Sequence, residues 1–322
     1  MKRQLLITEQ GAYSERDLKR LSEIFDVHRV VPKTSAEMAA AVREFDPDVM
    51  LIGLGLSIGT KEVIGSRRLK LIVSPTTGAD HLNVKALEQQ GVQVVTLRDT
   101  KKDFRSVSST AELAWALVLA LSRRLVSAAN AVSSGEWQRE NFLGQQLRNK
   151  TLGIVGLGRL GGFVAQYGLA FGMQVVATDV DSTIQHPEVL LVTMKKLLPI
   201  CDVISIHVPL NTTTQGMIGV AEIAEMKSGV LLVNTSRGEV VDESAIANAL
   251  RSGHVGGYGT DVVNGDSGWA GCVHPNPITQ LANDGLNVVT TPHIGGYTHE
   301  AVAYTRQLVV DYILEHSEFR SP

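Results

Sequence analysis

The stretch TLGIVGLGRLGG (151–162) constrains the fold more than any other part of the chain. An apolar run with strand character ends in Gly156, Gly158 and Gly161 at GxGxxG spacing, and a helical pattern, FVAQYGLAF, follows. In such a unit the first glycine permits the tight turn and the second lets the backbone approach a pyrophosphate. The third lets helix and strand pack closely. The helix start then offers free N–H groups to phosphate oxygens. The next strand-like run, MQVVATD, ends on Asp179, 18 residues after Gly161. An acid there can accept hydrogen bonds from both ribose hydroxyls of NAD and would repel the 2′-phosphate of NADP. The plainer reading of Asp179 is a strand-end acid. A second glycine-rich stretch, GLGLSIG (53–59), has the wrong spacing and reads as a strand-end turn.

Around this unit, strand and helix patterns alternate almost throughout, which is the signature of an α/β protein with parallel sheets. KRQLLIT (2–8), DVMLIG (48–53), LKLIVS (69–74) and VQVVTL (92–97) read as strands, with helical patterns at 15–25, 34–45 and 83–90. A polar, irregular stretch, RDTKKDFRSVSS (98–109), interrupts the pattern. SSTAELAWALVLALSRRLVSAA then reads as one long helix, with Ser109 and Glu112 at capping-box spacing. Its body is apolar nearly all round, so it is either a core helix or part of a subunit interface. From 151 to 293 strands recur at TLGIVG, MQVVATD, DVISIHV, VLLVNTS, GGYGTDVV and NVVTTPH. In DESAIANALRSG, Asp242 suits the N-cap and Gly253 the C-terminal left-handed position. HEAVAYTRQLVVDYILEH predicts a last helix.

Composition narrows the partners. With 20% charged and 44% apolar residues in 322, the chain can build cores for two domains. A net charge of −3, from 33 acids and 30 bases, argues against nucleic acid or an anionic membrane held by bulk charge. Cys201 and Cys272 form no CxxC pair, so neither a disulfide framework nor a thiolate metal site is expected. The N-terminal MKRQLLITEQG lacks a signal-peptide core, and LAWALVLAL (113–121) is about half a membrane span. The expectation is a cytoplasmic protein.

Three segments at predicted strand ends supply reactive groups: NTSRG (234–238), TDVVNGD (260–266) and TPHIGG (291–296). Together they resemble the D-2-hydroxyacid dehydrogenase family, which carries N-x-x-R-G, an Asp followed five residues on by an acid, and a late P-H-x-G, in this order. HVPLNTTTQGMIG (207–219) resembles the family's His-x-Pro-Leu…Thr stretch, and TTGADHLN (76–83) its substrate loop. The resemblance covers almost the whole chain. It implies two Rossmann-like domains with parallel, doubly wound sheets, the nucleotide domain inserted into the substrate domain and the active site in the cleft. Residues 1–100 with 295–322 would form the substrate domain and 101–294 the NAD-binding domain. It also implies a homodimer built around the helix near 110–126.

The resemblance further implies a catalytic set of Arg237, Asp266 and His293. Arg237 would bind the carboxylate and carbonyl of a 2-keto acid with its planar fork. His293 would exchange a proton with the carbonyl oxygen as NAD exchanges hydride with carbon. The acid behind the ring would fix its tautomer and raise its pKa. NAD would meet Gly156, Gly158, Arg159, Leu160, Gly161, Asp179, His207, Pro209, Thr214, Thr235, Ser236 and Gly295, with Asp261 at the nicotinamide carboxamide. Backbone N–H groups near Thr77 and Gly78 would hold the substrate carboxylate. No metal is expected.

The chain departs from the family at Asp266, where Glu is usual. Asp is shorter by one methylene, about 1.3–1.5 Å, so contact with His293 needs a closer loop or a bridging water. SGWAGCVHP (267–275) departs from the usual Pro-rich continuation. GLGLS (53–57) and VSPTTG (73–78) carry no base, which disfavours a phosphorylated substrate; Arg105 and Arg159 remain candidate anion partners. The functional expectation is an NAD-dependent enzyme interconverting a 2-keto acid and a D-2-hydroxy acid. The alternatives are a non-catalytic NAD-sensing protein on the same fold, and formate or phosphite oxidation. Formate-oxidising relatives pair the histidine with an amide, against which the acid speaks.

Overall fold

A computed structural model describes residues 2–9, 13–184, 186–266, 272–281 and 284–316. They divide into two compact units. The first comprises 2–106, 272–274 and 298–316; the second, 107–266 and 275–297. Most of the departing stretch SGWAGCVHP, residues 267–271, lies outside the described residues.

The first unit is built on β1 (Arg3–Ile7), β2 (Phe25–Arg29), β3 (Val49–Leu51), β4 (Leu71–Val73) and β5 (Gln93–Val95). All pair in parallel in the order β2-β1-β3-β4-β5. Leu5, Leu6 and Ile7 are consecutive and fully buried, because a parallel sheet is covered on both faces. Alternate residues serve opposite cores: Leu5, Ile7, Val49 and Leu51 on one side, Leu6, Met50 and Ile72 on the other. Each such side chain contributes roughly 1.5–3 kcal/mol. The predicted last helix, His299–Glu315, buries Leu308, Val309, Val310 and Ile313 in the first of these cores.

The second unit holds β6 (Thr151–Val155), β7 (Gln174–Thr178), β8 (Val189–Leu191), β9 (Val203–Ile206), β10 (Val230–Asn234), β11 (Val255–Thr260) and β12 (Val288–Thr290). Their order is β12-β11-β10-β9-β6-β7-β8, all parallel. The chain reverses direction of growth between β6 and β9, and open sheets of this kind bind ligands beyond the carboxyl strand ends at such a point. In the predicted helix Glu243–Arg251, Asp242 caps by accepting Ser244 N–H and Ala245 N–H, and Gly253 adopts φ 76°.

Two features differ from expectation. The single long helix is two, Ser109–Ser122 and Leu125–Ser133, bent by 66°. No glycine or proline marks the break; Arg124 turns to φ 49°. Distant donors take the carbonyls that a continuing helix would use: Gln145 N–H reaches Ser122 O at 2.7 Å and Asn287 Nδ2 reaches Leu121 O at 3.2 Å. The first half is a core helix that buries Ala114, Trp115, Leu117, Val118 and Leu121, whereas no residue of the second half is buried. The capping box also fails: Ser108 is the cap residue and its hydroxyl donates to Glu112, while the buried Ser109 hydroxyl has no partner among the described residues. Among the described residues no single helix is long and apolar enough to cross a membrane. The edge strands β2 and β8 carry no legible strand signal.

Candidate active site

The glycine loop leaves β6 with Gly156 at φ 93°. A side chain at Gly161 would sit 2.1 Å from Gly156 O, so the third glycine is demanded by the helix lying on the turn. Gly158 faces open space, with no atom within 4 Å of where a Cβ would stand, and the helix Arg159–Ala170 begins immediately after it. Arg159 donates to Val107 O, and Leu160 packs on the core. Asp179 stands at the end of β7, half-buried, accepting Leu157 N–H at 2.7 Å on one oxygen and Asp181 N–H at 2.9 Å on the other. Each oxygen keeps a lone pair for a further donor.

Across the switch point, a side chain at Gly156 would stand 2.9 Å from His207 O, so the glycine loop and the segment after β9 are neighbours. His207 Nε2 pairs with Ser205 Oγ at 2.8 Å, whereas Nδ1 is buried without a partner among the described residues. Burial pushes the imidazole down to about 4, so it is neutral. Thr214 is turned inward: its hydroxyl donates to Pro209 O at 2.6 Å and accepts Asn211 N–H at 2.9 Å, bracing that turn. Thr235 Oγ1, after β10, is buried and also lacks a partner among the described residues, while Ser236 Oγ donates to Asn234 Oδ1 at 2.8 Å. Open space over Gly158, an acid at the β7 end and two orphaned polar atoms at strand ends fit a dinucleotide.

The reactive segments meet at the ends of β10, β11 and β12. Asn234 folds the first: its Oδ1 accepts Ser236 N–H at 3.0 Å and its Nδ2 donates to Arg237 O at 2.8 Å. Arg237 is half-buried, with Nη1 donating to Ser236 O at 2.7 Å. Gly238 follows because a Cβ there would lie 2.1 Å from Val263 C and 2.3 Å from Asn264 N. The arginine segment and the loop carrying Asp266 are therefore packed backbone on backbone.

His293 adopts φ 55°, a left-handed conformation uncommon outside glycine. Asp261 holds it there. Its carbonyl accepts His293 N–H at 2.9 Å, and its carboxylate accepts Thr291 Oγ1, Ile294 N–H and Gly295 N–H at 2.6, 2.8 and 2.7 Å. Asp261 is 2% exposed, and burial raises its pKa against the pull of these donors. The carboxylate anchors the histidine turn, and Oδ2, with one donor, keeps a lone pair for a further one. Asp266 reaches His293 directly, Oδ2 to Nδ1 at 3.0 Å, with side chains 13% and 26% exposed. The contact is direct, so no bridging water is required.

Sequence reasoning missed what holds that loop. Asn264 N–H donates to Glu243 Oε1 at 2.8 Å and Gly265 N–H to Glu239 Oε1 at 3.0 Å. Asn276 Nδ2 donates to Glu243 Oε2 at 2.6 Å. Glu243 in the sequence signals only a first-turn helix acid.

In the first unit, Thr77 and Gly78 follow β4. Thr76 Oγ1 donates to Gly78 O at 2.7 Å and pairs with Ser74 Oγ at 2.8 Å, which also meets the buried His81.

Known proteins resemble this chain in sequence and fold. Residues 115–295 match the family described as D-isomer specific 2-hydroxyacid dehydrogenase, NAD binding domain. The glyoxylate reductase of Thermococcus litoralis is 33% identical over 100% of this chain and 96% of its own. The D-3-phosphoglycerate dehydrogenase of Archaeoglobus fulgidus is 34% identical over 88% of this chain, which spans only 52% of that protein's length. Among solved structures, the D-lactate dehydrogenase of Aquifex aeolicus, complexed with NAD and lactic acid, is 27% identical with a TM-score of 0.77, over 96% of this chain and 94% of that one. With the matched region covering more than half of its length, this chain belongs to the D-isomer specific 2-hydroxyacid dehydrogenase family.

Proposed function

We propose that the protein is an NAD-dependent oxidoreductase that interconverts a small 2-keto acid and the corresponding D-2-hydroxy acid. The observation that carries this reading is the His293–Asp266 pair at 3.0 Å, beside the Arg237 segment. When bound, NAD supplies or takes the hydride at the substrate's carbonyl carbon. Asp266 accepts the Nδ1 proton of His293, which leaves Nε2 as the atom that exchanges a proton with the substrate oxygen. In reduction the imidazolium gives that proton; in oxidation the neutral ring takes it. Arg237 clamps the substrate carboxylate and carbonyl with parallel N–H groups. In the first unit, the Thr77 and Gly78 amides have no acceptor among the described residues and are available to a carboxylate.

The second unit is read as the nucleotide-binding domain and the first as the substrate domain. Gly156, Gly158, Gly161, Asp179, His207 and Thr235 would hold NAD, with the Asp179 carboxylate on the ribose. The absence of basic residues in GLGLS and VSPTTG favours an unphosphorylated acid, such as the substrate named for the full-length glyoxylate reductase relative. A homodimer is supported by the helix Leu125–Ser133, apolar yet without a buried residue, and by Trp137 and Leu143, 87% and 88% exposed nearby. Cys272, a free exposed thiol, fits a reducing cytoplasm.

A panel of 2-keto acids with NADH and NADPH tests the proposal. Turnover of at least one small acid with NADH is expected; inactivity across a broad panel, or preference for NADPH, would overturn it.

A further inference from the structure

Glu243 is buried to 7% exposure at the first position of the helix Glu243–Arg251. It is not needed there as a cap, because Asp242 already accepts Ser244 N–H and Ala245 N–H. An acid in a first turn interacts favourably with the helix dipole from the surface, and burying it costs free energy unless donors surround it. The donors are Asn264 N–H and Asn276 Nδ2, at 2.8 and 2.6 Å. Asn276 is itself fixed, its Oδ1 accepting Ile278 N–H at 2.8 Å. Glu239, one helical turn earlier in sequence, takes Gly265 N–H at 3.0 Å. Consecutive amides of one loop therefore end on two carboxylates, and the next residue is Asp266.

We infer that Glu243, assisted by Glu239, is a positioning residue for the His293–Asp266 pair: it draws in the Asn264–Asp266 backbone so that a short carboxylate reaches the imidazole. The inference rests on the functional reading above only for its consequence in catalysis. The missing Cβ of Gly238 gives the loop room to move inward, since Val263 and Asn264 occupy the space a side chain would fill. Asp266 N–H closes the loop on Val263 O at 3.1 Å. Burial raises the Glu243 carboxyl, the Asn264 and Asn276 donors oppose it, and Glu239 and Asp266 add like charge. Of the acids in this unit, Asp266 meets the His293 ring, the Asp261 carbonyl its backbone, and Glu239 and Glu243 the loop that carries Asp266. Arg237 is the residue two before Glu239.

The test is the His293 ring in the cofactor-free protein, read as its Nδ1–H resonance by NMR with labelled histidine and assigned with His293→Gln. Asp266→Asn is expected to move that resonance, because the charge-assisted partner is lost. Glu243→Gln keeps the shape but sets an amide NH2 against one of its donors, and is expected to move it in the same sense by a smaller amount. In the Asp266→Asn background the same change should do almost nothing, because the effect runs through Asp266. Equal shifts in both backgrounds would mean that Glu243 acts by its own charge or by general loosening, and would overturn the inference; so would no shift in either. Should Glu243→Gln fail to fold, Glu239→Ala at a half-buried site releases Gly265 and must show the same dependence on Asp266. Inactivity on every keto acid with this coupling intact breaks the functional proposal alone. Full activity without the coupling breaks this inference alone.

Discussion

Asp261 and Asp266 lie five residues apart in GTDVVNGD, and the protein uses them in opposite ways. Asp261 is buried, and its carboxylate accepts two backbone N–H groups and a threonine hydroxyl of the Thr291–Gly295 turn. Asp266 is partly open, and its carboxylate is turned to the imidazole of the same turn. One acid shapes the backbone on which His293 stands, and the other lies 3.0 Å from its ring nitrogen. Identical side chains thus acquire different work from the donors that the fold brings to them.

The largest effect expected is at the residue both acids serve. His293→Gln should lower turnover of a 2-keto acid by about 10²–10⁴-fold while leaving NADH affinity, read by fluorescence titration, nearly unchanged. Turnover near normal would leave neither acid with a catalytic role. Asp261→Ala should destabilise the second unit by about 3 kcal/mol, because donors to a charged group lose their partner in a buried site. Urea unfolding measures this, and a loss below about 0.5 kcal/mol would show that the left-handed turn stands without it. Asp266→Asn should leave stability nearly intact and instead lower keto acid reduction about tenfold, because a neutral amide is a weaker partner than a carboxylate for the imidazolium that gives the proton; unchanged turnover removes Asp266 from the mechanism.

The smallest effect concerns a histidine without an acid. His207 is held at about 4 against an ordinary 6.5 by burial alone. A depressed folded-state pKa means that the unfolded chain binds the proton more readily, so its contribution to stability is present above 6.5 and is lost as pH falls toward 4. His207→Gln should flatten the stability profile across that window in urea titrations; an unaltered slope would mean that His207 is protonated in the folded protein.

The same contrast separates what could be read beforehand from what could not. The parallel sheets were legible because runs such as Leu5–Ile7 have no polar face, and the cofactor turn because Gly156, Gly158 and Gly161 are spaced for contacts within one strand–turn–helix unit. The edge strand Phe25–Arg29 was not, since FDVHR is short and mostly uncovered. The helix break at Arg124 was not either, because its cause lies with donors from Gln145 and Asn287.

By itself, then, the sequence determined the α/β class, the strand ends that carry Arg237, Asp266 and His293, and the family, all of which depend on residue type and local spacing. The tertiary structure decided that the shorter carboxylate touches the imidazole, that Asp261 anchors the turn, and that Glu243 and Glu239 hold the loop. Those contacts join residues 21 to 34 positions apart in the chain, through bonds such as Glu243 to Asn264 and Asp261 to Gly295. Hydrogen bonds of that kind depend on distance and angle in space, to within a few tenths of an ångström, and no local pattern in the chain encodes them.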